Sequence, residues 1–247
     1  SDGRYVVFSS SATNLVSGDT NGKGDAFVHD RQTGTTTRVS VNSSGIQADG
    51  GGGSADISGD GRYVVFLSES NNLASGAEEY EELVYVHDRQ TGQTTLASVY
   101  SSGDIMVGTP DQPTISSNGR YAAFSFYEKG NQGLMDIYLR DFQTGEIIQA
   151  THGAPDAGES SFHPSLSADG HIVAFDSGSN RLVSEDTNEA RDVFVYELPI
   201  APYDDPVVVS VTGFSGPLSN QQRTFTVTFS ESVTGVTTDD FALTSTG

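Results

Sequence analysis

The apolar residues of the chain fall in short consecutive runs that follow glycine turns, with no helical stripe. One such run occurs four times: Tyr5–Phe8, Tyr63–Phe66, Tyr121–Phe124 and Ile172–Phe175. The turn glycines before these runs are spaced by 58, 58 and 51 residues. Asp-Gly or Asn-Gly ahead of β-branched and aromatic residues predicts a tight β-hairpin. Apolar residues at consecutive positions predict strands that are covered on both faces.

A second run completes each repeat, and its copies are Asp25–Asp30, Leu83–Asp88, Asp136–Asp141 and Asp192–Glu197. The first three copies are followed by Gln-Thr-Gly, which predicts a second hairpin and an outer strand. With an innermost strand ahead of the first run, each repeat becomes a four-stranded antiparallel meander. Stacked meanders of this length form a β-propeller. A parallel β-helix is the alternative solenoid, although its coils are shorter and lack paired hairpin turns.

The repeats therefore predict an all-β fold in which β-propeller blades occupy residues 1–198, with units at about 1–53, 54–111, 112–162 and 163–198. The first unit lacks its innermost strand and the fourth its outer strand. Three prolines in 199–206 predict an extended linker. The alternating stretch Thr224–Phe229 predicts a β-sandwich over 207–247, which is incomplete because an immunoglobulin-like sandwich needs roughly 100 residues.

The pattern Ser-x-Asp-Gly-Arg-Tyr-Val-Val-Phe, followed by Asp-x-Phe-Val-x-Asp-x-x-Thr-Gly, resembles the TolB-type, WD-like propeller repeat of bacterial envelope and secreted proteins. The stretch 224–241 is similar to bacterial immunoglobulin-like repeats. The resemblance implies a ring of six or more blades and an extracellular, cell-surface or periplasmic location. We expect the four repeats to be an arc with further blades upstream of Ser1, and a small four-bladed ring is the alternative.

Composition narrows the range of partners. The chain has 12 Lys and Arg against 33 Asp and Glu, a net charge of −21, so nucleic acid and anionic membrane surfaces would repel it. No run of about 18 apolar residues predicts membrane insertion. The absence of cysteine removes disulfides, thiolate metal sites and cysteine nucleophiles. The hydrolase motifs Gly-x-Ser-x-Gly and His-Glu-x-x-His are absent from the sequence.

Two acidic loops are candidate calcium sites, and their candidate ligands are Asp19, Asn21, Asp25, Asp186, Asn188 and Asp192. Oxygen ligands at alternate positions of a loop suit calcium. An EF-hand is excluded because Lys23 occupies a ligand position and a strand follows the loop. The competing interpretation is that these residues cap turns through the backbone. Calcium is therefore a candidate cofactor, and the repeated Asp30, Asp88 and Asp141 are interpreted as acceptors for turn amides.

His152 and His163 lie in the connection between the third and fourth units, and such connections can line the central funnel of a propeller. Propellers similar to this one that act on acidic sugars use histidines and a metal. The sequence favours a non-catalytic interaction scaffold of a secreted or cell-surface protein that binds a protein or glycan partner. The alternatives are a metal-dependent, carbohydrate-active propeller of the polysaccharide lyase or glycosidase kind, and a structural spacer in an adhesin-like protein.

Overall fold

A computed structural model describes residues 3–77, 82–129, 134–151, 159–183, 186, 188 and 190–198, together with the strands at 208–212 and 226–229. The chain divides into two compact units, Ser1–Leu198 and Pro199–Gly247. All the secondary structure of the described residues is β-strand, and every strand pair is antiparallel. Among these residues there is no helix with the length and apolar character of a membrane span.

The first unit contains four sheets in sequence, each an antiparallel meander. Blade one has three strands: β1 (Tyr5–Ser10), β2 (Asp25–Asp30) and β3 (Thr35–Arg38). Blade two has four strands: β4 (Gly53–Ile57), β5 (Tyr63–Ser68), β6 (Leu83–Asp88) and β7 (Thr94–Leu96). Blade three has four strands: β8 (Gly108–Ile115), β9 (Tyr121–Glu128), β10 (Met135–Asp141) and β11 (Ile147–Gln149). Blade four has three strands: β12 (Ser161–Leu166), β13 (Ile172–Ser177) and β14 (Asp192–Glu197).

These sheets confirm the predicted all-β blades, including the three-stranded first and fourth units. The innermost strands of the later blades begin slightly earlier than the unit boundaries drawn from the sequence, at Gly53, Gly108 and Ser161. The reason is a bulge in each of these strands, which adds residues ahead of the Ile-Ser or Leu-Ser pair. In the second unit, β15 (Val208–Thr212) pairs with β16 (Thr226–Phe229). The immunoglobulin-like sandwich stays a prediction, and the linker at 199–206 lies outside the described residues.

Local hydrogen bonds explain why the repeated turns form. In blade two the Ser58 hydroxyl donates to the Asp60 carboxylate at 2.6 Å, and Asp60 accepts the Arg62 amide at 2.9 Å. Gly61 has a φ of 75°, a conformation that costs glycine nothing. Side chains that bond their own turn favour this geometry before any tertiary contact forms. The same bonds recur at Ser167 and Asp169 in blade four.

Each inner blade buries both faces, as the consecutive apolar runs predicted. We call the face towards the next blade the forward face and the other the backward face. In blade two, Val84 on the forward face packs against blade three, and Tyr85 on the backward face packs against blade one. Both side chains are fully buried. Burial of apolar side chains at about 1.5–3 kcal/mol each makes these interfaces the main source of stability.

A tyrosine from one blade also lies against the turn glycine of the next. A Cβ atom on Gly119 would approach the ring of Tyr63 to 2.8 Å at Cε2, and closer still at Cδ2. Gly61 meets Tyr5 and Gly170 meets Tyr121 in the same way. The turn glycine is therefore required twice, once for its positive φ and once for the ring that covers it.

Candidate functional site

The two ends of the blades differ in what they expose. In an antiparallel meander the first and third turns lie at one end, which we call the hairpin end. The loop end carries the long loops between the second and third strands and the connections between blades. The two kinds of loop-end segment contact each other, since the Gly52 amide donates to the Gly24 carbonyl at 2.7 Å.

At the hairpin end the repeated carboxylates are bonded within the protein. Asp30, Asp88 and Asp141 each accept a turn amide at 2.8–2.9 Å, which confirms their interpretation as turn acceptors. Each also accepts two guanidinium N–H bonds, at 2.8–3.1 Å, from Arg4, Arg62 and Arg120 respectively. The sequence analysis missed these paired bonds, although the arginine follows the turn glycine in all three repeats.

The arginine pairs are reflected in the pKa values of the carboxylates. A hydrogen bond from Arg62 holds the pKa of Asp88 well below its usual range, against the opposing effect of burial. Arg62 also stacks on Tyr63, with its guanidinium carbon 4.7 Å from the ring centroid. A groove of 660 Å³ runs between the hairpin ends of blades two and three, and Arg120 and Gln143 line it. The charged groups of this end thus join strands and blades to one another.

At the loop end, three innermost strands hold a non-glycine residue in the left-handed region at the same position of the repeat. The residues are Ser54, Gln112 and His163, with φ values of 38°, 50° and 55°. Each lies in the irregular part of its strand, where the register with the neighbouring strand shifts. Positive φ at a non-glycine residue costs of order 1 kcal/mol, and such strain and bulges concentrate near functional sites.

His163 links the innermost strands of blades three and four. Its backbone amide donates to Gln112 Oε1 at 2.9 Å, and its Nδ1 lies 2.6 Å from Asp176 Oδ1. Because an ionised carboxylate can only accept, Nδ1 of this histidine carries the proton. The His163 side chain is 68% exposed. The ring is therefore held at one nitrogen while the rest of it faces solvent.

Asp176 connects this histidine to a cation and an aromatic ring. Its second carboxylate oxygen is paired with Arg191, whose Nη2 donates to the Ser160 carbonyl at 3.3 Å. The guanidinium carbon of Arg191 lies 5.1 Å from the centre of the Phe162 ring. Burial alone would raise the pKa of Asp176, but hydrogen bonds from Arg191 and His163 outweigh it and lower the pKa. Neither Asp176 nor Arg191 was singled out from the sequence, because they come from different strands.

The other histidine predicted for this site, His152, lies outside the described residues. His163 is thus the one predicted ligand-binding histidine that the structure places, and it lies at the loop end as expected. Within the described ranges, no group of three or more histidine or acidic side chains converges in a way that could hold a metal ion. Nearby, burial raises the pKa of Glu82, and the charges of Glu69 and Asp111 add to the effect.

The first candidate calcium loop brings Asp19 and Asp25 together, with donors from the protein around them. The Gln47 amide donates to Asp19 Oδ1 and to Asp25 Oδ2, both at 2.9 Å. Ser40 donates to Asp25 at 2.6 Å, and the Arg38 guanidinium lies 3.6–3.7 Å from both carboxylates. The Asn21 side chain presents its N–H group, not its oxygen, to Asp25. In this arrangement the protein itself supplies the donors that a cation would replace.

The second loop is less completely bonded. Asn188 donates from its side chain to Asp192 Oδ2 at 3.1 Å and from its backbone to Asp186 Oδ1 at 3.3 Å. The other oxygen of Asp186 is buried without a hydrogen bond. These bonds are of the turn-capping kind. Calcium at either loop stays a prediction.

No family model and no curated protein matches the chain. Among solved structures, a TolB-like protein from Agrobacterium tumefaciens is similar at 17% identity with a TM-score of 0.50, covering 80% of this chain and 58% of that one. The chain thus spans under two thirds of the length of that structure. This likeness supports the propeller fold that the repeats predicted.

Two propeller enzymes are also similar, with lower TM-scores. An oligogalacturonate lyase in complex with manganese is 12% identical, with a TM-score of 0.42 over 85% of this chain and 65% of that one. The tricorn protease is 18% identical, with a TM-score of 0.44 over 64% of this chain and 13% of that one.

Proposed function

We propose that this chain is a non-catalytic interaction scaffold of a secreted or cell-surface bacterial protein, and that it binds a protein or glycan partner through its loop end. Its four blades belong to a ring of six or more blades. Closure of such a ring protects the edges of the sheets. The extracytoplasmic setting rests on the resemblance of the repeat to TolB-type propellers.

The contrast between the two ends carries this proposal. At the hairpin end the repeated carboxylates are bonded to arginines of the same blade, as at Asp88 and Arg62. At the loop end the bulged strands present Gln112 and His163 in strained conformations, and most of the imidazole is exposed. A rigid scaffold with variable side chains at one end is the usual design of a binding propeller loop.

Binding should therefore depend on the loop end and not on the hairpin end. The experiment measures binding of the chain to an array of neutral and acidic polysaccharides and to purified envelope proteins. The two variants are His163→Ala and, as the matched control, the hairpin-end Gln143→Ala. For the partner that binds, we expect His163→Ala to weaken affinity about tenfold or more, and Gln143→Ala to leave it within about twofold. Equal affinities in all three proteins would contradict the proposal, as would turnover of any member of the panel.

One observation favours the carbohydrate-active alternative. An imidazole oriented through Nδ1 by a carboxylate is suited to act as a base or a metal ligand through its other nitrogen. His163 and Asp176 have this arrangement. In this case the chain would cleave polygalacturonate in the presence of manganese or calcium, with a rise in ultraviolet absorbance from the unsaturated product. Activity that chelator abolishes and His163→Ala removes would support the alternative, and activity unchanged in His163→Ala would exclude this role for the histidine.

A further inference from the structure

The forward face of blade four is apolar and exposed. Val193 and Val195 on β14 are 76% and 62% exposed. The equivalent pair in blade two, Val84 and Val86, is 0% and 5% exposed because blade three covers it. The equivalent residues of blades one and three, Ala26, Val28, Ile137 and Leu139, are all fully buried.

The backward face of blade one is open in the complementary way. Val6 on β1 is 45% exposed, whereas its equivalents Val64, Ala122 and Val173 are 0% exposed. The turn before β1 shows the same vacancy, since a Cβ atom on Gly3 would meet only the Arg31 side chain, at 3.5 Å. The other turn glycines are each covered by a tyrosine of the preceding blade.

Blade four supplies the matching residue for that glycine. Ile172 occupies the position of Tyr5, Tyr63 and Tyr121, and it is 39% exposed. The two open faces are therefore the two halves of one junction. This junction occurs three times within the chain, between blades one and two, two and three, and three and four.

The outer edge of β14 is also open among the described residues. In the other blades the equivalents of the Val193 carbonyl accept an amide from the segment that follows the outer strand: Ala97 donates to Val84 at 2.8 Å and Ala150 to Ile137 at 2.8 Å. β14 pairs with β13 alone in the described sheet. An edge of this kind, beside an exposed apolar face, is a site for association.

We infer that the forward face of blade four packs against the backward face of blade one in a second copy of this chain. The contact is head-to-tail, so it either closes into a ring or continues as an open assembly. Two copies would supply eight blades, which is within the range of four to eight known for propellers. The inference rests on the proposed ring, for which it names the source of the closing blades.

Charge sets the conditions for this association. Each copy carries a net charge of −21, so two copies repel one another at low ionic strength. The contacting residues Val6, Ile172, Val193 and Val195 are uncharged, and salt screens the long-range repulsion without weakening their burial. Association should therefore be stronger in 0.5 M sodium chloride than in 50 mM.

The test measures the mass of the whole chain by light scattering and sedimentation between 10 and 200 μM. We expect a species of twice 26.1 kDa that increases with protein and salt concentration. Val195→Asp and Val6→Asp should each be monomeric. The matched control is Val183→Asp, at an exposed valine in a loop of blade four, which should leave the mass unchanged. Circular dichroism and Tm confirm folding, which these exposed positions should tolerate.

Mixing the two monomeric variants distinguishes head-to-tail contact from other pairings. Val195→Asp keeps an intact blade-one face and Val6→Asp an intact blade-four face, so their mixture should form a heterodimer although neither self-associates. A chain that stays monomeric under all conditions would overturn the inference, which would assign the open faces to further blades of a longer polypeptide. Self-association that survives Val6→Asp would also overturn it. A monomer that still binds a partner through His163 would leave the proposed function standing.

Discussion

The contact between a turn glycine and the tyrosine of the preceding blade can be measured by replacing Gly119 with alanine. Gly119 has a φ of 72°, and placing an L residue in that conformation costs about 1–2 kcal/mol. The added Cβ would also lie 2.8 Å from Tyr63 Cε2 and 3.0 Å from Cγ, whereas carbon atoms pack at about 3.5–4.0 Å. The ring must therefore move by most of an ångström, and overpacking of this kind costs typically 1–3 kcal/mol.

Gly92 provides the matched control for this substitution. Its φ is 77°, close to that of Gly119, but a Cβ atom there meets nothing within 4 Å. Gly92→Ala should therefore show the conformational cost alone. At about 2–4 °C per kcal/mol for a domain of this size, Gly119→Ala should lower the Tm by roughly 2–12 °C more than Gly92→Ala.

A double-mutant cycle then assigns the difference to the tyrosine. When Tyr63→Ala removes the ring, Gly119→Ala should cost no more than Gly92→Ala does, because only the φ penalty remains. The measurements are thermal melts and urea unfolding of the four proteins. Equal losses of stability in Gly119→Ala and Gly92→Ala, or no coupling with Tyr63→Ala, would refute the reasoning.

Two further predictions concern protons and calcium. Because the pKa of Asp88 is lowered in the folded state by Arg62, this carboxylate stabilises the fold above the ordinary Asp pKa of about 3.9 and ceases to do so as the pH falls below it. The Tm should drop between pH 5 and pH 2.5, and by less in Asp88→Asn, which already lacks the charge at neutral pH; an equal drop in both proteins would contradict this. For calcium, a rise in Tm at about 100 times the dissociation constant would amount to about 2.7 kcal/mol, or roughly 5–10 °C. We expect Asp19→Asn to leave any such rise unchanged, because Gln47 and Arg38 already serve that carboxylate, and Asp186→Asn to remove it. Loss of the calcium response in Asp19→Asn alone would show the opposite.

The candidate site could be predicted only in part. His163 was found because histidine is rare in this chain and lies in a connection between units. Its partners Asp176 and Arg191 are 13 and 28 residues further along the chain, on a neighbouring strand and in the loop after it. Neither residue forms a motif with His163 in the sequence. The left-handed conformation of Gln112 and His163 is also absent from any residue preference, since neither residue type favours it strongly.

The sequence by itself determined the blades. Asp-Gly and Thr-Gly turns, consecutive apolar runs and the repeat spacing act through local backbone preferences and nearest neighbours, so the four sheets and their strand order followed from them. The tertiary structure alone decided which groups meet across blades, such as the glycine of one turn and the tyrosine of the blade before it. The same holds for Asp19 and Gln47, whose side chains are 28 residues apart in sequence. Such contacts depend on how the sheets stack, and the twist and separation of packed sheets are set by all their side chains together, beyond the reach of any one segment.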